Sequence, residues 1–533
     1  MIPTIQVLVL LLVVLAAVAV VAERLKIPPA ILLVLTGVAL ALFPGLPTVR
    51  LAPDFVLLFV LPPVIYASAV AMSWREFCFN LRPISLLAVG CVLFTTLAIA
   101  AASHWLLGLS WQVGFVLGAI VSPPDAVAPL SIARRMGLPR RILVVLEGEG
   151  LANDATALIL YRFAVAAVGG GVFSVSHATG AFAAIVVGEV FWGLAVGWLM
   201  LRVRRWVHDP RIEIVLSVLT PFLAYWPPQH FGGSGVLATV TTGLYISWNG
   251  LRLISAATRL QGVFFWGFLI YVIEGLVFLV TGLQARTLMG GIHSYSPSQL
   301  ATSATVVITV VIVTRFVWMY PAIYLPRLVP AIARKDPSPP WQWAFVLAFT
   351  GVRGIISLAA ALAIPLETAG GLPFPNRDLI LFLTFVVVLV TLVGQGLTLP
   401  LVIRWLGLAH AGRRERAALR VEEFNARRQA IEVASDRLQR LAVERGLPED
   451  IVRPLREQHK DRLTNVGHRS DGDEDHERRI GLSDEIERTL IAAERDHVNE
   501  LYRRGELTDE GRRRIERELD LREAHLASVR QED

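Results

Sequence analysis

The sequence predicts an all-α membrane protein. It has about thirteen transmembrane helices in an inverted-repeat architecture with crossed, interrupted helices, followed by a helical cytoplasmic tail. Three observations lead there. Hydrophobic residues make up 54% of the 533, with a mean hydropathy of +0.57, and they are gathered into blocks. Basic residues alternate between the loops. Two of the blocks are broken by proline or glycine in corresponding places.

Apolar runs near the length a helix needs to cross about 30 Å of hydrocarbon fall at 5–22, 28–44, 54–72, 83–107, 112–133, 142–168, 178–201, 212–227, 233–248, 261–284, 300–325, 341–364 and 378–405. The first lacks a basic leader and runs directly into Glu23 to Lys26, so it reads as a retained helix and not a cleaved signal. The eighth and ninth are short, with Trp226, Pro227, Pro228 and a glycine cluster at Gly232, Gly233 and Gly235 between them. The fifth contains Ser122-Pro123-Pro124-Asp125-Ala126-Val127-Ala128-Pro129, which removes three backbone donors and leaves carbonyls of the preceding turn without helical partners. In the twelfth, Gly351 and Gly354 flank Arg353.

Charge placement tests this division independently, because cytoplasmic loops hold most Lys and Arg. Alternate loops carry Arg24, Lys26; Arg75, Arg82; Arg134, Arg135, Arg140, Arg141; Arg202, Arg204, Arg205, Arg211; Arg252, Arg259; and Arg327, Arg334, Lys335. The other set has only Arg50, Arg286 and Arg377. Seventeen against three places the N-terminus outside and the C-terminus in the cytoplasm. The same placement accounts for the net charge of +6 without a nucleic-acid partner. Cys78 and Cys91 are the only cysteines, and they suggest packing residues, not a metal site or a disulfide framework.

A membrane region over 1–409 therefore gives way to an Arg- and Glu-rich tail over 410–533. Within the tail, Ser483 to Tyr502 reads as a helix capped by Ser483, with Asp484 and Glu485 in its first turn. Ile515, Leu519, Leu526 and Val529 approximate a helical stripe. A turn at Arg504 to Asp509 would join the two as a hairpin, and the acidic run Asp471 to Glu477 reads as a solvated linker.

Charges inside membrane helices are costly and point to partners, water-filled cavities or function. Here they are Asp125, Glu147, Glu149, Asp154, Glu274, Arg315 and Arg353. Counting about 1.5 Å per residue from the helix ends brings Asp125, Asp154 and Arg353 to the middle third of the bilayer. Broken backbone at that depth must be buried in protein or line a cavity. The broken fifth and twelfth spans are seven apart, as corresponding members of an inverted repeat, which is the usual sequence pointer to a transport site.

These residues resemble the monovalent cation:proton antiporter-1 family over about 5–405. The motifs are L-P-P at 61–63, S-P-P-D-A-V-A-P at 122–129, E-G-E-G-L-A-N-D-A at 147–155, E-G-L-V-F-L-V-T-G-L-Q at 274–284 and G-V-R-G-I-I-S-L-A at 351–359. The resemblance implies secondary exchange of a cation, sodium first, for protons across the plasma (inner) membrane. Potassium/proton exchange is the alternative, and a cation channel the other class. It implies that Asp154 binds ion or proton with Asn153 beside it, that Asp125 and the oxygens around Ser122 assist, and that the Asn-Asp pair accompanies electroneutral exchange. It further implies that Glu149 and Arg353 form a structural ion pair. Glu274 and Arg315 are a second candidate pair, and Glu147 reads either as the wall of an access funnel or as a solvated wall residue. Glu189 and Arg162 have no evident partner. Homodimers and a lipid environment follow from the same resemblance, with Na+, K+ or Li+ and H+ as substrates. No enzyme activity, cofactor or metal beyond the transported cation is expected. The chain departs from the family pattern at Ala67, Pro124 and Gly150, where relatives often carry Glu, Thr and Ser, and each departure removes a candidate oxygen around the ion.

Overall fold

A computed structural model of the chain describes residues 2–43, 51–169, 175–207, 209–250, 253–292, 295–368, 370–470, 474–504 and 506–531. Arg50, Arg252 and residues 471–473 of the acidic run lie outside these, and so do the side chains of Ser483, Asp484, Leu526 and Val529. The chain separates into two compact units, Met1–Arg413 and Arg414–Asp533. Among the described residues both are helical, apart from one isolated bridge between Glu367 and Pro373.

The first unit contains α1 (Ile2–Leu25), α2 (Pro29–Ala41), α3 (Pro53–Ala71), α4 (Leu81–Leu107), the half-helices α5a (Trp111–Val121) and α5b (Val127–Met136), and α6 (Arg140–Val168). It continues with α7 (Val175–Arg204), α8 (Pro210–His230), α9 (Val236–Asn249), α10 (Ala256–Leu283), α11 (Pro297–Tyr324), the half-helices α12a (Trp341–Phe349) and α12b (Ile355–Leu362), and α13 (Arg377–Trp405). Each of the apolar runs read from the sequence falls on one of these helices or pairs of half-helices. Eight helices among the described residues are long and apolar enough to cross a membrane by length and composition.

Local chemistry explains the ends. Ser110 caps α5a by accepting from the Val113 amide, Ser255 caps α10, and Ser296 with Gln299 forms a reciprocal capping box on α11. The helix of the fifth span stops at Val121 because Pro123 and Pro124 lack the amide donors that would continue its ladder. π-helical turns interrupt α3 at Val56–Val60, α4 at Leu86–Cys91 and α13 at Thr391–Gln395. The first and last adjoin the broken helices, in keeping with the tendency of such turns to sit at functional places.

Packing in this unit depends on backbone contact as well as on apolar side chains. At the crossing of α2 and α10, a Cβ on Gly37 would overlap the Leu279 carbonyl, and one on Gly282 would overlap the Val34 carbonyl. Glycine is therefore what lets these two helices touch. Cys91 is buried, while Cys78 is exposed on the short helix Trp74–Phe79.

In the second unit, helices Glu474–Arg503 and Asp509–Gln531 pair through buried Ile491 and Leu519 with Ile515 against them. Arg495 bridges to Asp520 at 2.9 Å and Glu523 at 2.8 Å across the pair. The expected hairpin is present, but its first helix starts nine residues before Ser483. Helical backbone thus takes in Glu474 to Glu477, which the composition alone assigned to a linker.

Candidate functional site

The two broken helices meet backbone to backbone. The Asp125 amide donates to the Val352 carbonyl at 2.7 Å, so the linkers Ser122–Ala126 and Thr350–Gly354 are tied where helical hydrogen bonds are missing. Contact is so close at Gly354 that a Cβ there would overlap the Asp125 carboxylate.

Charges are matched to the half-helix ends. Asp125 sits at the start of α5b, where its Oδ1 accepts from the Val127 amide at 2.9 Å, and it faces Gly354 at the start of α12b. A carboxylate there meets the positive ends of two helix dipoles. Arg353 does the reverse. Its Nε donates to the Val121 carbonyl at 2.8 Å, its Nη2 to Ser122 at 3.4 Å and its Nη1 to Gly351, so it satisfies carbonyls released at the ends of α5a and α12a. The Arg353 amide is held by Thr391 Oγ1 at 2.9 Å, from the π turn of α13.

The expected ion pair of Glu149 with Arg353 is not formed. Glu149 is bound by Arg315 of α11, at 2.6 and 2.8 Å, with both side chains 2% exposed. Arg315 also donates to the Leu347 carbonyl at 3.2 and 3.0 Å. Arg353 is committed to backbone carbonyls instead, because the fifth span leaves several unpaired and a guanidinium has enough donors to take them. The second expected pair, Glu274 with Arg315, is excluded by the same contact.

Asp125, Asp154, Glu147 and Glu274 line one cavity of about 120 Å³, with Ser68 and Gly150 also in its wall. That volume holds several waters. Glu147 is neutralised by Arg134, whose Nη2 lies 3.1 Å from both its oxygens. Among the described residues, no Lys or Arg side chain lines the cavity.

Asn153 and Ser122, expected as ion ligands, are not in this wall. Asn153 is fully buried and donates Nδ2 to the Pro124 carbonyl at 2.6 Å, fastening α6 to the broken linker, while its Oδ1 has no partner. The Ser122 hydroxyl donates to Ala119 at 3.3 Å. In the broken turn, the Val121 and Ser122 carbonyls are thus taken by Arg353 and that of Pro124 by Asn153.

Glu189 acts in a way the sequence reading missed. From α7 it accepts from the amides of Ser234 (2.5 Å), Gly235 (3.0 Å) and Leu237 (3.0 Å), capping α9 from another helix. A usable signal was present, since the Gly-Gly-Ser-Gly run before α9 offers only one short polar side chain to four orphan amides. Asp336 was also missed. It gathers Arg82, Arg141 (2.8 Å) and Arg327 (2.8 Å) in the loop before α12a.

Two broken helices that meet at their breaks, with acidic side chains facing an internal cavity, are an arrangement suited to a membrane ion carrier. The chain belongs to the transmembrane sodium/hydrogen exchanger family, whose pattern it matches over residues 8–405. It is 34% identical to a protein of Mycobacterium bovis named an uncharacterized Na+/H+ exchanger, over 95% of this chain and 93% of that one. It is 31% identical to a sodium, potassium, lithium and rubidium/H+ antiporter of Bacillus subtilis, over 70% of this chain and 58% of that one. The fold is similar to that of a sodium proton antiporter from Methanocaldococcus jannaschii, with a TM-score of 0.57 and 19% identity, covering 76% of this chain and 97% of that one.

Proposed function

We propose that this monovalent cation/proton antiporter carries sodium, with Asp154 as the group that binds cation and proton in turn. The observation that carries the reading is the shared cavity of Asp125 and Asp154, with no basic side chain in its wall among the described residues. Burial favours the neutral form of a carboxyl group and a bound cation favours its charged form, so the two substrates compete for one place. Alternating exposure of that place turns competition into exchange. Asp125, fixed at the two half-helix starts, supplies a second oxygen donor suited to a hard cation.

Asn153 supports the site by holding the linker, and neither it nor Ser122 touches the ion. Exchange is electroneutral in this reading, because the residue beside Asp154 is an amide. The thirteen apolar segments all cross the plasma membrane, the N-terminus faces outward and the tail faces the cytoplasm, in line with seventeen basic loop residues against three. The protein works as a homodimer, and the tail, with no chemistry of its own, is structural or tunes the response to pH.

Potassium is a second reading. The named breadth of the Bacillus subtilis relative, together with the apolar Ala67 and Gly150 where a further oxygen would favour a small ion, speaks for it. Proteoliposomes separate the cases. A pH gradient should drive sodium uptake that Asp154→Asn abolishes, and uptake indifferent to the gradient would rule out exchange. Repeating the measurement with potassium and lithium assigns the cation.

A further inference from the structure

One acidic group in the cavity wall is left over by this exchange scheme. Glu274, on α10, is half-buried and lines the same cavity as Asp125 and Asp154. Its place is set firmly, because the Gly37 and Gly282 contact locks α10 against α2, and α10 also packs on α3 and α12b.

Among the described residues, Glu274 takes part in no ion pair and no side-chain hydrogen bond. Arg315, the basic residue at comparable depth on α11, is consumed by Glu149 and the Leu347 carbonyl. Arg353 is consumed by three carbonyls. Arg134 is taken by Glu147. The cavity wall contributed by α3 offers Ser68 and no carboxylate. A carboxylate without a counter-charge, facing space for several waters, attracts a cation that keeps part of its hydration.

We propose that Glu274 is a cation-binding wall residue of this cavity. It holds the hydrated monovalent cation through water while Asp154 carries out the exchange, and it sets the apparent affinity without carrying the proton. The proposal rests on the exchange reading above. Removing one negative charge about 6 Å from a partly hydrated ion weakens binding about three- to thirtyfold at an effective dielectric of about 30–80, as suits a water-filled cavity. A loss made equally in ground and transition states appears in KM and leaves the maximal rate alone.

The test uses the full-length protein in proteoliposomes, with sodium as the probe and a fixed pH gradient. Glu274→Gln should raise the sodium KM about three- to thirtyfold with the maximal rate within about twofold. Glu274→Asp, which keeps the charge, should fall between it and the wild type. A wild-type KM in Glu274→Gln, or a loss of maximal rate with KM unchanged, overturns the proposal and leaves Glu274 a packing or proton-carrying group. Equal thermal unfolding of the variants in detergent excludes misfolding as the cause. Asp154→Asn is run alongside: exchange surviving there defeats the assignment of Asp154 and leaves the Glu274 result to be read by itself.

Discussion

Glu149 and Arg315 face each other with two hydrogen bonds, at 2.6 and 2.8 Å, in a part of the molecule from which solvent is nearly absent. Losing one partner strands a buried charge, which costs about 3–5 kcal/mol. Glu149→Ala or Arg315→Met should therefore sharply lower the thermal unfolding midpoint in detergent. Arg353→Met should act differently, unfastening the two broken helices and leaving the Glu149 pair intact. A double-mutant cycle between positions 149 and 353 should show weaker coupling than one between 149 and 315, where the direct contact lies.

Asn153 is held by its donor side. Asn153→Ala leaves the Pro124 carbonyl unpaired and should cost about 1–3 kcal/mol of stability. Asn153→Asp in its charged form would aim an anion at the same carbonyl. The expected outcome is a less stable protein, read as a lowered unfolding midpoint that recovers at low pH, where a protonated carboxyl can donate again.

Gly354 leaves room for the Asp125 carboxylate. Gly354→Ala should displace that carboxylate, and misplacement on the scale of 1 Å can cost about a hundredfold in rate. Pyranine-loaded proteoliposomes should show this loss with little change in protein yield, since the substitution adds one methyl group at a linker.

Asp336 lies outside the membrane-spanning helices and lends stability that depends on pH. Burial pushes its carboxyl up, but the guanidinium groups of Arg141 and Arg327 outweigh burial and hold it below the usual carboxylate value. Because the folded value is the lower one, its contribution is complete above the unfolded value, about 3.9, and is lost as pH falls through the folded value. Asp336→Asn should lower the unfolding midpoint at pH 7, and the gap between variant and wild type should begin to close only below about pH 3.9 and vanish once the pH is below the folded value.

Much of the fold was legible because hydrocarbon imposes a length and loops carry a charge bias. The break at Ser122–Ala126 followed directly from Pro123 and Pro124. Pairing was less legible. Arg315 and Arg353 both lie at mid-membrane depth, so depth cannot choose between them as partners for Glu149. The choice depends on the rotation of α11 and on how many carbonyls the broken helices release. For the same reason the sequence brought Asn153 and Ser122 to the neighbourhood of the broken helix without showing that their side chains donate to the Pro124 and Ala119 carbonyls. It could locate freed oxygens, but not the side chains that would reach them. The tail hairpin was visible in its apolar stripe, while its start was misplaced because a serine with acidic neighbours resembles a helix cap even in mid-helix.

The commitment of Arg353 to backbone carbonyls bears on slippage. A carrier that could reorient with nothing bound would let one gradient run down without building the other. Among the described residues, no guanidinium or ammonium lines this cavity to balance Asp125 and Asp154 when both substrates are gone. In the proposed cycle the vacant carrier is its most strained form, and either passenger relieves it. Tight coupling then comes from the missing counter-charge itself and requires no separate gate.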